Sequence, residues 1–151
     1  MSQVETLQDS VDIAAPPERV WSLVTDLPRM ASWSPQVVRT FVRGPMERGT
    51  RAVNLNRRGL LFWPTRTKVV AFEPHREFAF RVKDNGTIWA FVLEPTAAGT
   101  RLVQERRAPD GIKPVSTRLQ DLVLGGVGTF TDELRVGMRQ TLERIKSDAE
   151  A

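Results

Sequence analysis

The sequence predicts an α+β fold in which a curved seven-stranded antiparallel sheet wraps around one long C-terminal helix. Three observations support this prediction. Apolar and polar residues alternate from residue 36 to residue 109, a helical apolar period follows Pro114, and two short proline-bounded segments come after the first strand. A chain of 151 residues suits one domain, so we expect residues 1–151 to form a single domain with a sizeable core.

The first strand is predicted from Thr6 to Ile13, where Leu7, Val11 and Ile13 fall on one face. Asp9 shares that apolar face. A carboxylate at this position either makes a polar contact at the rim of a cavity or marks a frayed strand end. Asp9 is therefore a candidate polar residue of a cavity.

Two short helices in tandem are predicted next. Pro17 suits the first turn of a helix that ends near Thr25. Pro28 opens a second short helical turn toward Trp33, and Pro35 forbids its continuation.

Six further strands are predicted in series at residues 37–43, 50–58, 61–72, 78–83, 87–94 and 100–107, because turn residues separate them at short intervals. Strands with such short connections form an antiparallel meander. The segment Asp84-Asn-Gly86 is the strongest hairpin signal, since Asn-Gly accepts the positive φ values of a tight turn.

One face of this sheet is strongly aromatic. Phe78 and Phe80 alternate with Arg81, and Trp89 and Phe91 recur two residues apart. A sheet with one apolar face must curl around an apolar element, and the C-terminal segment is the one large enough to serve.

The C-terminal segment predicts a long amphipathic helix, because apolar residues recur every three or four positions from Leu119 to Ile145. Gly125-Gly-Val-Gly128 interrupts it, and each interior glycine costs about 1 kcal/mol relative to alanine. Either the helix stops at Gly125 and a second one begins near Thr129 or Thr131, or it continues with a kink.

We favour continuation, because the apolar stripe keeps its phase through the glycines. The missing side chains then leave space beside the aromatic sheet, so the glycine cluster indicates where a ligand would lie. The regular stripe from Phe130 to Ile145 indicates a structural plug.

Composition excludes several kinds of site. The absence of cysteine excludes disulfides, thiolate metal sites and cysteine nucleophiles, and a single histidine, His75, makes a metal site unexpected. The 22 basic and 18 acidic residues are scattered, and the densest basic pairs, Arg57-Arg58 and Arg106-Arg107, are interpreted as solvated strand faces. We therefore expect no nucleic acid partner.

The chain also shows no signal for a membrane span or a cofactor. Its apolar stretches fall short of the ~20 residues needed to cross a bilayer, and its start lacks the features of a secretory signal. No Ser-His-Asp spacing, phosphate loop or dinucleotide fingerprint is present. We expect a cytoplasmic protein, without integral membrane association and without a cofactor.

The order of these elements resembles the START-like superfamily, also called SRPBCC or the polyketide cyclase/dehydrase and lipid-transport family, over nearly the whole chain. The chain looks like one of the many bacterial single-domain members of that family. The resemblance rests on Ile13-Ala-Ala-Pro-Pro-Glu-Arg-Val-Trp21, Trp33-Ser-Pro35, Gly49-Thr-Arg51, Glu73-Pro74, and Trp89 leading to Gly99-Thr-Arg-Leu102.

This resemblance implies a helix-grip fold with a deep pocket between the sheet and the C-terminal helix. It also implies that aromatic side chains and the glycine cluster lie near that pocket: Trp33, Trp63, Phe80, Trp89, Phe91, Gly125, Gly126 and Phe130. Each aromatic residue is also a plain core candidate, since a close-packed interior needs such side chains without a ligand.

Polar groups inside the pocket would be needed for catalysis. Asn54 and Asn56 share one strand face, and Arg66 and Arg81 have aromatic neighbours, so Arg and Asn together could steady an enolate. Alternatively, the asparagines face solvent and Arg81 points outward. We include Asn54 among the lining residues and Arg66 among the polar candidates, and assign no catalytic residue.

Three functions remain compatible with the sequence. The first is binding or transport of an apolar small molecule such as a lipid, polyketide or isoprenoid, with the protein as a monomer or homodimer. The second is a polyketide cyclase or aromatase that uses the same cavity. The third is a regulatory or interaction protein whose cavity has collapsed. A cavity with one or two polar groups favours the first, and a converging Arg, Asn and carboxylate favours the second.

Overall fold

The computed structural model describes residues 6–84, 86–109 and 127–151, the side chains of 127–131 excepted. Its seven strands form one antiparallel sheet in the order β1-β7-β6-β5-β4-β3-β2. The strands are β1 (Leu7–Ile13), β2 (Val37–Arg43), β3 (Arg51–Arg58), β4 (Leu61–Glu73), β5 (Glu77–Val82), β6 (Ile88–Thr96) and β7 (Gly99–Arg107). The predicted sheet and its meander are therefore confirmed.

Three helices and one short 3-10 turn complete the described fold. Helix α1 (Pro17–Val24) is followed by a 3-10 turn (Leu27–Arg29) that leads directly into α2 (Met30–Trp33). Pro17 occupies the first turn of α1, as predicted, since a missing N–H costs nothing there. The C-terminal helix α3 spans Val127–Glu150.

The turn between β5 and β6 is longer than predicted. β5 ends at Val82 and β6 begins at Ile88, so five residues connect the strands. Val82 donates its N–H to the Thr87 carbonyl, and Gly86 donates back to the Val82 carbonyl, both at 2.8 Å. Gly86 has the expected positive φ of 79°, which suits a residue without a Cβ.

Helix α3 lies across the inner face of the sheet. The described part of the predicted stripe is buried and consists of Leu134, Met138, Leu142 and Ile145, and the buried Ala149 extends it. No helix within the described ranges is long and apolar enough to cross a membrane. The predicted continuity of the helix through Gly125 and Gly126 lies outside the described residues.

The compact core fills the end of the sheet near α1. Phe78 and Phe91 from the sheet pack with Trp21 from α1 and with Leu142 and Ile145 from the last turns of α3. The Trp21 ring meets the Phe78 ring edge-on, with centroids 6.3 Å apart. Helix α3 therefore contributes to this compact core from about residue 142 onward. Leu134 and Met138, which the prediction also placed in the structural plug, are buried in a separate cluster with Leu7.

Candidate functional site

A cavity of about 800 Å³ separates the sheet from the first half of α3. Its walls are the inner faces of β3 to β7, the 3-10 turn and α2 with the segment from there to the start of β2, and α3 residues 132–141. Small-molecule sites in proteins usually measure about 300 to 1,000 Å³. The cavity is therefore large enough to hold a small-molecule ligand.

Apolar side chains supply much of the lining. Trp63, Phe80 and Trp89 project from β4, β5 and β6, and Leu134 and Met138 face them from α3. These three aromatic residues were predicted near the pocket, and the structure brings them together there. Strand register explains this grouping, because Phe80 pairs directly with Trp89 and so shares its face of the sheet.

Two other predicted aromatic residues lie in the core and are not among the described lining residues. Trp33 is 1% exposed, and its indole N–H donates a 2.6 Å hydrogen bond to Oδ2 of Asp148 near the end of α3. Phe91 lies two residues beyond Trp89 along β6, toward the packed end of the sheet. Both side chains are packed in the part of the interior that α1 and the last turns of α3 cover.

The two polar candidates also differ from the prediction. Asp9 faces α3, where Arg139 donates hydrogen bonds of 2.6 and 3.0 Å to its two carboxylate oxygens. Arg66 is exposed on the outer face of β4 and pairs with Asp84 at 3.4 Å. Neither side chain is among the described residues that line the cavity.

The remaining predicted site residues lie outside the described part of the structure. Gly125 and Gly126 are outside the described residues, and so is the side chain of Phe130. Their place beside a ligand stays a prediction.

A polar strip runs along β3 and β4 inside the cavity. Asn54 and Asn56 both line it, so the interpretation of these residues as solvent-facing is wrong. Thr40 donates a 2.8 Å hydrogen bond to Oδ1 of Asn54. Asn56 donates to the Trp63 carbonyl at 3.2 Å and to Thr65 Oγ1 at 3.0 Å. Much of the hydrogen-bonding capacity of this strip is therefore used within the strip itself.

Two further polar residues of the lining, Gln104 and Arg106, were not predicted. They are 5% and 4% exposed, and they share the inner face of β7 with Leu102. Gln104 Oε1 and Arg106 Nε are buried without a hydrogen-bond partner. Burial, aided by the positive charge of Arg135, lowers the pKa of Arg106 below its usual value.

The alternation of residues along β7 could have identified Arg106 as an inward-facing residue. The pair Arg106-Arg107 was interpreted as a solvated face, but neighbouring strand residues point to opposite sides of a sheet. Arg107 faces outward, where Glu105 and Glu77 accept hydrogen bonds of 2.8 and 3.3 Å from it. Arg106 therefore faces inward, with Leu102.

An ion pair spans one edge of the cavity. Arg58, at the end of β3, donates three hydrogen bonds of 3.0 to 3.1 Å to the carboxylate of Glu133 on α3. Both residues belong to the lining. This contact connects the β3–β4 hairpin with the helix, and it occupies the Glu133 carboxylate.

In the described ranges, no three His, Cys, Asp or Glu side chains lie close enough to hold a metal ion.

Comparison with known proteins gives a consistent result. A sequence profile of the family described as polyketide cyclase / dehydrase and lipid transport matches residues 5–150. No curated protein sequence matches the chain.

Solved structures show the same fold. The di-domain ARO/CYC StfQ from the steffimycin biosynthetic pathway superposes with a TM-score of 0.76 at 17% identity, over 96% of this chain and 50% of StfQ. The chain thus spans about half the length of that protein. A protein from Chromobacterium violaceum matches with a TM-score of 0.71 at 18% identity, over 97% of this chain and 98% of the other. A Polyketide_cyc-like protein from Corynebacterium glutamicum reaches 0.60 at 28% identity, over 93% and 88%.

Proposed function

The chain belongs to the polyketide cyclase/dehydrase and lipid transport family, and we propose that it binds an apolar small molecule in the cavity between its sheet and α3. The observation that carries this proposal is the cavity of about 800 Å³ with Trp63, Phe80 and Trp89 on its wall. Aromatic walls with placed polar groups are typical of small-molecule sites. The polar groups of this lining exceed the one or two expected of a simple carrier, and they include Asn56, Gln104 and Arg106. We also propose that the chain forms one domain, since the family profile spans residues 5–150.

Several features favour an open cavity over a collapsed one. The cavity lies beside a packed core, and the polar strip of Asn54, Asn56 and Thr65 lines it. A collapsed interior would press apolar side chains of α3 against Gln104 Oε1 and Arg106 Nε, which lack hydrogen-bond partners, and would leave both polar groups unpaired. A ligand that carries polar groups on an apolar body suits such a surface.

Binding can be tested with phenylnaphthylamine, a neutral dye that fluoresces in apolar surroundings. We expect the wild-type protein to bind it with a saturable increase in fluorescence. Leu134→Trp places a larger ring into the cavity from α3 and should weaken dye binding at least tenfold. The matched control, Val53→Trp, adds the same ring on the outer face of β3, where Val53 is 39% exposed, and should leave binding unchanged.

Thermal unfolding of both variants would show that each one is folded. Unaltered dye binding by a folded Leu134→Trp variant, or equal weakening by Val53→Trp, would place the dye elsewhere and contradict the proposal.

A second candidate function is cyclisation of a poly-β-ketone chain. The buried Arg106 guanidinium favours it, because a fixed cation inside an apolar cavity stabilises a developing enolate. The carboxylates in the lining are less suited to act as a base: Asp132 lies exposed at the edge, and Glu133 is already bound by Arg58. Incubation with a short poly-β-ketone, followed by analysis for cyclic products, separates the two functions. Turnover that Arg106→Met abolishes would support cyclisation.

A further inference from the structure

The position of Arg106 in the cavity wall is unusual for a cation. In the sheet register Arg106 lies between Leu7 on β1 and Trp89 on β6. Leu7 and Trp89 pack with Leu134 and Met138 of α3 as a small apolar cluster. The guanidinium therefore lies among apolar side chains, where water screens its charge weakly.

The charge of Arg106 has no counterion among the described residues. No hydrogen bond or ion pair is formed by its guanidinium there, and its Nε is a buried donor without a partner. The charge that acts on it most is the like charge of Arg135. Arginine stays protonated in proteins, so the site is a permanent positive centre. Buried charges of this kind are normally paired with an opposite charge.

Gln104 extends the same site along β7. It lies two residues before Arg106 on the same strand face, which corresponds to about 7 Å of strand. Its Oε1 is a buried acceptor without a partner, and it too lines the cavity. A hydroxyl group of a ligand would satisfy this acceptor, while an anionic oxygen would satisfy the guanidinium.

From these observations we propose that Arg106 and Gln104 form an anion-binding subsite, and that the ligand is an apolar organic acid. Its anionic oxygen, a carboxylate or an acidic enol or phenol, binds Arg106. A hydroxyl group within about 7 Å of that oxygen donates to Gln104. The apolar body lies against Trp89 and Phe80. This inference rests on the proposed cavity-binding function and narrows its ligand class from apolar small molecules in general to apolar organic acids.

A matched pair of dyes tests the charge alone. Anilinonaphthalenesulfonate and phenylnaphthylamine share one aromatic skeleton, and only the first carries a sulfonate. We expect the wild-type protein to bind the sulfonate at least tenfold more tightly than the neutral dye. This comparison needs no variant, so it decides the question even where a substitution prevents folding.

Two variants on the same strand show which arginine causes the preference for the sulfonate dye. Arg106→Met removes the charge and keeps an apolar chain of similar length, so it should abolish the preference for the sulfonate while neutral-dye affinity changes less than twofold. Arg101→Met is the control, because Arg101 is exposed on the outer face of β7 and should leave both affinities unchanged.

Each result has a definite consequence. Failure of the neutral dye to bind would contradict the proposed cavity function. Binding of the neutral dye without a preference for the sulfonate would overturn the anion subsite and leave cavity binding standing. A preference that survives in a folded Arg106→Met variant, or that Arg101→Met removes, would overturn it as well.

Discussion

The guanidinium of Arg139 on α3 donates hydrogen bonds of 2.6 and 3.0 Å to the two carboxylate oxygens of Asp9 on β1. Arg139 also donates to the Ser10 carbonyl at 2.7 Å. The pair joins the helix to the edge strand of the sheet, next to the cavity but not in its lining. The hydrogen bonds from Arg139 hold the pKa of Asp9 below its usual value.

Asp9→Asn should therefore destabilise the fold by about 1 kcal/mol at neutral pH, the scale of a partly exposed bidentate pair. The folded-state pKa of Asp9 is the lowered one, so its stabilisation is present above the unfolded pKa of about 3.9 and is lost as pH falls through the folded value. Urea unfolding at several pH values measures the difference between wild type and variant, which should shrink below about pH 4.

The control for this pair is Asp26→Asn. Asp26 meets Arg29 at 3.8 Å with both side chains about half exposed, and such pairs contribute little. Two results would contradict this account. One is a difference in the free energy of unfolding between wild type and Asp9→Asn that does not change with pH, and the other is an equal loss of stability in Asp26→Asn.

Arg106→Met should raise the stability of the ligand-free protein. Replacing a buried cation that lacks a partner with an apolar side chain of similar size removes a desolvation penalty, by about 1 to 2 kcal/mol. For a chain of this length the midpoint of thermal unfolding should rise by about 3 to 6 °C. Scanning calorimetry without ligand measures it, with Arg101→Met as the unchanged reference. A fall in the midpoint would indicate that the guanidinium is stabilised within the protein itself.

Substitution of Trp33 should affect mainly the stability of the fold, and substitution of Trp89 should affect mainly dye binding. Trp33→Phe loses the hydrogen bond to Asp148 and part of a fully buried side chain, and should cost about 1 to 3 kcal/mol without altering phenylnaphthylamine affinity. Trp89→Phe changes the cavity wall, and should weaken dye binding with a smaller stability cost. Urea unfolding and dye titration of both variants check this, and the reverse pattern would place Trp33 in the site.

Gly99 should tolerate no side chain. It has a φ of 154° at the start of β7, and an added Cβ would press against backbone atoms of Ile13 and Ala15, which cannot rotate away. Gly99→Ala should destabilise by about 2 to 4 kcal/mol. Gly44→Ala, at a φ of 84° with open space around it, carries the backbone strain alone and should cost about 1 to 2 kcal/mol. Similar losses at the two positions in urea unfolding would show that no close contact exists at Gly99.

Strand alternation and proline positions predicted the fold well. The predicted bounds of β2 are those observed, and the bounds of the other strands differ by at most two residues. Local sequence records the period of a strand and the positions where the chain must turn. The loop after β5 was predicted too short, because Asp84 and Gly86 mark a turn without fixing where strand pairing ends.

The site was harder to predict, because alternation tells which residues share a face and not how far along the strand the core gives way to a cavity. Trp89 and Phe91 share one face of β6, yet Trp89 lines the cavity and Phe91 is packed in the core. The difference is made by α1 and the last turns of α3, which cover one end of the sheet only. Arg106 was missed because an inward-facing arginine contradicts the usual burial preference of its residue type.

The cavity itself is tested most directly by the indole N–H signals in a ¹⁵N–¹H correlation spectrum during titration with phenylnaphthylamine. The chain has four tryptophans, so the spectrum holds four such signals. Trp63 and Trp89 line the cavity, whereas Trp21 and Trp33 lie in the core. We expect the ring current of the dye to shift the Trp63 and Trp89 signals and to leave those of Trp21 and Trp33 in place. Shifts confined to Trp21 and Trp33, or saturable binding that moves none of the four signals, would contradict a ligand site between the sheet and α3.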